Sequence, residues 1–244
     1  MRNSAIRDEP MVRVVDRMDM WFHKHLIHYF VFLTITGLPL MSDTFRFLAY
    51  VFGLPAVWFG AEMGSQEMLQ SGITVSMGLH RIVGILLIIT AIPYVIRKLA
   101  TIRHWAIWPD EKSVSEWFRN TWALLGVYLL RKHHPIGRFN NGQKLAAYVF
   151  ILTTTALVLT GLVLMFRDVF PEQLVLLSRM VHVWSFAIVG ITLVVHVYIG
   201  TLDVNRPGVE AMFHSGQVPL GYLKAHHPLL YEQMKKDGRL PDES

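Results

Sequence analysis

The sequence predicts an all-α integral membrane protein: a bundle of four transmembrane helices, with interfacial helices in its outer and cytoplasmic loops. Three observations carry this reading. The 244 residues are 52% hydrophobic with a mean hydropathy of +0.36, high for a soluble chain of this length. The apolar residues gather into four long stretches rather than spreading through the chain. Lysine and arginine alternate between rich and poor segments around those stretches.

The spans are predicted at residues 24–45, 77–98, 145–167 and 178–202, followed by a tail over 203–244, within a single membrane domain of residues 1–244. Their apolar hearts are Leu26 to Met41, Met77 to Ile96, Leu145 to Phe166 and Val181 to Thr201. Each approaches the roughly 20 residues that cross a bilayer as a helix. The first is the most polar, because Lys24 and three histidines crowd its entry. Residues 1–20 are charged throughout and lack the apolar core of a cleavable signal, so the N-terminus is expected to stay in the cytoplasm.

Arg2, Arg7, Arg13, Arg17 and Lys24 precede or open the first span, and nine basic residues lie from Arg97 to Lys144 between spans two and three. Five more follow span four. The loop after span one holds only Arg46, and the loop after span three only Arg167 and Arg179. The excess of positive charge in cytoplasmic loops then puts both termini and the middle loop inside, in a multi-pass protein of the bacterial cytoplasmic membrane. The net charge of +5 is thus explained by topology and membrane lipid, and nucleic acid is not an expected partner.

Two loops carry aromatic stretches. FRFLAYVFGLPAVWFGAEMG in the outer loop is interrupted by Gly53 and Pro55 and reads as short interfacial helices. In the middle loop, Pro109-Asp110 is expected to open an amphipathic helix bearing Val114, Phe118, Trp122 and Leu125 on one face.

The absence of cysteine excludes covalent haem attachment, iron–sulfur ligation and disulfides. Twelve histidines are many for so apolar a chain, and an ionisable side chain inside a span points to function. By depth they form two pairs: His80 with His182 near the outer side, His23 with His196 near the inner side. His182 and His196 are fourteen residues apart, about 40° short of four turns and roughly 21 Å along the axis. That places them one above the other on one face, as two stacked b haems with an axial imidazole from each of two helices require. Gly37 and Gly84 return to the faces of His23 and His80, and Gly190 lies between the histidines of span four, so each could make room for a flat macrocycle. His25 and His28 share the depth of His23 but face elsewhere, and the register with Gly37 favours His23. His104, His133, His134, His214, His226 and His227 are expected in solvated or interfacial positions. No acidic residue accompanies the histidines within the spans, which argues against a mononuclear metal site.

Before span three the chain reads GRFNNGQK, Gly137 to Lys144. Asn140 can cap the helix, whereas Gln143 is not needed for the cap and is free to bond a quinone carbonyl beside the inner haem.

Several motifs resemble the gamma, cytochrome b, subunits of membrane-bound formate dehydrogenases. They are the N-terminal Asp16-Arg17 followed by His23 and Thr36-Gly37, LHRIVG from Leu79 to Gly84, GRFNNGQK, the His182 to His196 spacing, and HHPLLY from His226 to Tyr231. The resemblance implies an outer haem iron on His80 and His182, an inner one on His23 and His196, and menaquinone or ubiquinone at Asn140 and Gln143. It further implies an iron–sulfur electron-transfer subunit as donor, fed by a molybdenum or tungsten pterin catalytic subunit. The same haems could run in reverse, in the quinol-oxidising anchor of a thiosulfate- or polysulfide-type reductase. A haem-free transporter or scaffold is the third class.

Overall fold

The computed structural model describes residues 9–109, 111–130 and 137–241, with the backbone alone for 124–130. It is almost entirely helical, and the long helices follow the apolar stretches. They are α1 (Arg17–Met41), α2 (Phe47–Trp58), α3 (Gln66–Ala100), α4 (Val114–Leu130), α5 (Asn141–Met165) and α6 (Glu172–Gly200). Short elements follow: α7 (Arg206–Glu210), α8 (Leu220–His226) and α9 (Pro228–Lys236), with strands β1 (Met11–Arg13) and β2 (Gln217–Pro219). Side chains near the helix starts satisfy the open N–H groups there. The Asp16 carboxylate accepts from Met18 and Asp19 ahead of α1, and Ser65 Oγ accepts from Met68 at the start of α3.

Of the described helices, α3, α5 and α6 are long and apolar enough to cross a membrane. Helix α1 is also 25 residues long, but Asp19, Lys24 and the histidines dilute its apolar run. The exposed residues of these helices agree with a lipid environment. Ile82, Ile89 and Ile96 form a seven-residue stripe on α3, each more than half exposed, an arrangement that water penalises and hydrocarbon does not.

The chain forms two compact units. The first comprises Met1–Met20, Lys98–Thr154 and Ala187–Ser244. Its core is built on β1, which pairs antiparallel with β2 from Met11↔Pro219 to Arg13↔Gln217. Val12 and Val218 of the two strands pack with Ala211, Leu223, Tyr231 and Met234, all buried. This small sheet was not expected: three-residue strands show no usable alternation, and their partners are almost the whole chain apart. Helix α4 starts at Val114, with Ser113 Oγ accepting from the Glu116 N–H, so Ser113 rather than Pro109 sets its start; Asp110 lies outside the described residues. Val114, Phe118 and Trp122 of the predicted amphipathic face are exposed together along it; the side chain of Leu125 lies outside the described residues.

The second unit comprises Trp21–Arg97 and Thr155–Phe186. Here α1 runs antiparallel to α3. Phe22 stacks on Tyr94 at 4.0 Å, the Tyr29 and Thr90 hydroxyls are bonded at 2.6 Å, and Ser76 Oγ donates to the Thr36 carbonyl at 2.7 Å. The outer loop resolves into α2 and the first turns of α3, so the second span's helix begins about a third of its length before residue 77. The extension packs on α2 with backbone touching backbone: a Cβ on Gly72 would lie 1.8 Å from the Ala49 carbonyl oxygen, and one on Gly53 2.2 Å from that of Met68. Only glycine permits this approach. Gly72→Val is therefore expected to cost about 1–3 kcal/mol by overpacking, read as a lowered unfolding temperature of the detergent-solubilised protein.

Candidate haem and quinone sites

His80 of α3 and His182 of α6 meet inside the second unit with ring centroids 6.3 Å apart and planes at 68°. Their Nδ1 atoms are engaged in matching ways. His80 Nδ1 lies 3.1 Å from Thr36 Oγ1, and His182 Nδ1 2.9 Å from Thr160 Oγ1. Each threonine hydroxyl spends its single hydrogen on the carbonyl four residues back, Phe32 at 2.7 Å and Ala156 at 2.6 Å. Each oxygen must then accept from the imidazole Nδ1–H. With Nδ1 carrying a hydrogen, it is Nε2 of each ring that would offer a lone pair to a metal.

Two imidazoles bound to one iron place their ring centres near 6 Å apart, given metal–nitrogen bonds of about 2 Å and a ring centre roughly 1 Å behind each nitrogen. The observed 6.3 Å meets that requirement. The residues therefore fit an iron held by two histidines, as in a b haem. Among the described residues no three His, Asp or Glu side chains gather as they would around a bare metal ion.

Thr160 and Gly161 escaped the sequence reading, and Thr36 entered it only within the Thr36-Gly37 motif, with no role of its own. The signal was present as a dipeptide repeated in two spans, Thr36-Gly37 and Thr160-Gly161. Gly37 also has a different neighbour from the one expected. A Cβ there would meet the His80 ring 3.0 Å away, and one on Gly161 the His182 ring at 3.4 Å, so these glycines admit imidazoles, and the register of Gly37 with His23 does not identify a ligand. A methyl group on Gly84 or Gly190 would touch nothing within 4 Å, which leaves them able to face a flat group.

The other histidines of α1 sort differently. His25 Nδ1 is 2.8 Å from the Trp21 carbonyl and His28 Nδ1 2.7 Å from that of Lys24, so both donate along their own helix. They line a cavity of about 510 Å³ with Tyr29, Phe32, Leu79 and Val83. His23 is half-buried in the second unit. His196 belongs to the first unit, where its ring meets that of Phe150 edge-on at 5.5 Å and 87°. His133 and His134 lie outside the described residues.

The quinone motif also lies in the first unit, and here the expectation for Gln143 needs correction. Gln143 N–H donates to Asn140 Oδ1 and Asn140 N–H donates to Gln143 Oε1, each at 2.9 Å. This reciprocal pair is a capping box, so Gln143 does take part in the cap. What it retains for a carbonyl ligand is its Nε2 amide, on an exposed side chain. Behind the cap lies a buried polar cluster. Glu111 accepts from Asn141 at 2.7 Å and from Asn120 at 3.2 Å, while Lys144 is almost wholly buried. Burial pushes the Glu111 carboxyl upward, but the bonds from Asn141 and Asn120 and the charge of Lys144 outweigh it and hold the group below the ordinary carboxylate value. Asp19 forms ion pairs with Lys98 at 2.5 Å and with Arg138 of the motif at 3.8 Å.

His227, expected in a solvated or interfacial position, instead docks the tail onto the motif. Its Nδ1–H donates to the Gly137 carbonyl at 2.8 Å, and burial, aided by the charge of His226, holds it below the ordinary histidine value against the opposing Gly137 bond. A base with a lowered folded-state pKa takes up more protons when released, so stability falls as pH drops below about 6.5. Proteolysis of the tail should therefore quicken between neutral and mildly acidic pH, and His227→Gln should flatten that dependence.

Comparison with known proteins agrees with this picture. The chain is 23% identical over 231 residues, 92% of its own length and 90% of the relative's, to the cytochrome b556(Fdn) subunit of the nitrate-inducible formate dehydrogenase of Escherichia coli (strain K12). It is 22% identical over 210 residues, 85% of each chain, to the cytochrome b556(fdo) subunit of formate dehydrogenase of the same strain. The resemblance read from the motifs thus extends along most of the sequence. The profile of the prokaryotic cytochrome b561 proteins matches residues 14–215, and with its apolar helices and facing histidines the chain belongs to that family of multi-pass membrane cytochromes.

Proposed function

We propose that the protein is the dihaem cytochrome b subunit of a formate dehydrogenase-like respiratory complex. It takes electrons from an iron–sulfur subunit on the periplasmic side, itself fed by a molybdenum or tungsten pterin subunit. It delivers them through two b haems to menaquinone or ubiquinone at the cytoplasmic side. The observation that carries the reading is the facing pair His80 and His182, each with its Nδ1 bonded to a threonine. His23 and His196 are assigned to the inner haem by their depth in the sequence, and Asn140 and Gln143 to the quinone.

The strand pair supports four spans in one domain rather than three. Strands β1 and β2 lie at opposite ends of the chain and are hydrogen-bonded to one another, so the segments bearing them share one side of the membrane. An even number of crossings separates them, and α1, packed antiparallel on α3, is the available fourth. The distribution of Lys and Arg makes that shared side the cytoplasm.

Bound haem supplies a one-electron relay. The chain's own part is to hold the two outer imidazoles in the ligating tautomer, exclude water from the span interior, and offer amide donors where the quinone is protonated. Moving a unit charge across the dielectric is worth about 2.3 kcal/mol per 100 mV, so electron transfer inward with proton uptake inside conserves energy. The test is haem content and a redox titration of the purified chain with its partners. Two low-spin b haems per chain are expected, and one or none would reject the reading.

A further inference from the structure

The residues that hold the outer pair repeat across four helices. Thr36-Gly37 of α1 stands against His80 of α3, and Thr160-Gly161 of α5 stands against His182 of α6. In each half the hydroxyl hydrogen goes to the carbonyl four residues back and the oxygen accepts from Nδ1–H, while the following glycine leaves room for the ring's Cε1 edge. Packing alone does not call for this. Valine has the same shape as threonine without the hydroxyl, and it is the less costly residue inside a span.

We propose that Thr36 and Thr160 are positioning residues that set the redox potential of the outer haem through its two axial histidines, an inference that rests on the assignment of His80 and His182 as that haem's ligands. Accepting the Nδ1–H bond draws the proton away from the ring and makes Nε2 a stronger donor. A stronger donor stabilises ferric over ferrous iron and lowers the potential. Both bonds lie in the low-dielectric interior, where a hydrogen bond acts more strongly than in water. Both act on one iron, and in the same direction. They also fix the ring planes, which stand at 68° to one another, an orientation to which the electron paramagnetic resonance spectrum of a low-spin ferric haem is sensitive.

The experiment uses the full-length protein purified in detergent, with haem counted, each haem titrated potentiometrically, and spectra recorded for Thr36→Val, Thr160→Val, Thr36→Ser, Thr160→Ser, His80→Ala and His182→Ala. Each valine variant should keep both haems and favour the reduced form of the one lost in His80→Ala by roughly tenfold, a rise of about 59 mV for a one-electron couple. The serine variants, which keep the hydroxyl, should titrate as wild type. Haem loss from the valine variants but not the serine variants would equally support the hydroxyl's role. Valine variants with wild-type potentials and spectra, or serine variants that shift as far as valine, overturn the inference. If His80→Ala and His182→Ala retain every haem, the ligand assignment fails first, whatever the threonine variants do.

Discussion

His80→Ala and His182→Ala should each reduce the haem content from two per chain to one. On the proposed assignment each would remove one of the two nitrogens that hold the iron, and each leaves a threonine hydroxyl facing an emptied ring position. The inner haem should keep its absorption and potential, which separates loss of a ligand from general unfolding. Gly37→Val is expected to act like His80→Ala, because its branched side chain enters the space of the His80 ring, 3.0 Å from where Cβ would stand. A pyridine haemochrome assay with a redox titration checks all three. Retention of both haems at wild-type potentials in the two alanine variants would remove these histidines from the site.

At the proposed quinone site, Gln143→Leu should slow quinone-dependent reoxidation of the haems while donor-driven reduction persists. A neutral amide–carbonyl bond contributes about 1 kcal/mol net, or roughly fivefold in affinity. Leucine, however, also breaks the capping box with Asn140, which costs about 0.5–2 kcal/mol by itself. Gln143→Glu separates the two effects, since a glutamate keeps the acceptor that caps Asn140 but cannot donate to a carbonyl. Reoxidation slowed in both variants assigns the amide to the quinone. Wild-type reoxidation in Gln143→Glu confines Gln143 to the helix end, and the quinone must then be bound elsewhere.

Three of the long apolar helices and the meeting of His80 with His182 were legible because a bilayer imposes simple rules. Apolar runs near twenty residues mark α3, α5 and α6, and a histidine within such a run stands out. What was hidden depends on contacts across helices. Thr160 reads as an ordinary residue in an apolar run and Thr36 only as part of a motif, since nothing local distinguishes a threonine that bonds only its own helix from one that also holds an imidazole. Gly37 was noticed, yet helical register along one chain says nothing about which neighbour presses against it. Gln143 misled for the opposite reason. The N-x-x-Q spacing is itself that of a capping box, which uses the glutamine oxygen and not its amide nitrogen. The β1–β2 pair and the docking of His227 on Gly137 lie beyond any local pattern, because their partners are far apart in sequence.

The strand pair also fixes an order of events during synthesis. Met11 finds its partner in Pro219, about two hundred residues later, and the ribosome delivers the chain from the N-terminus. While α3, α5 and α6 are being inserted, β1 has no strand to pair with, and its backbone groups must be satisfied by water. Closure of the sheet, and burial of Val12 against Val218, Leu223 and Tyr231, can follow only once every membrane helix has been made. Strand β1 is thus synthesised before every membrane helix and secured only after them.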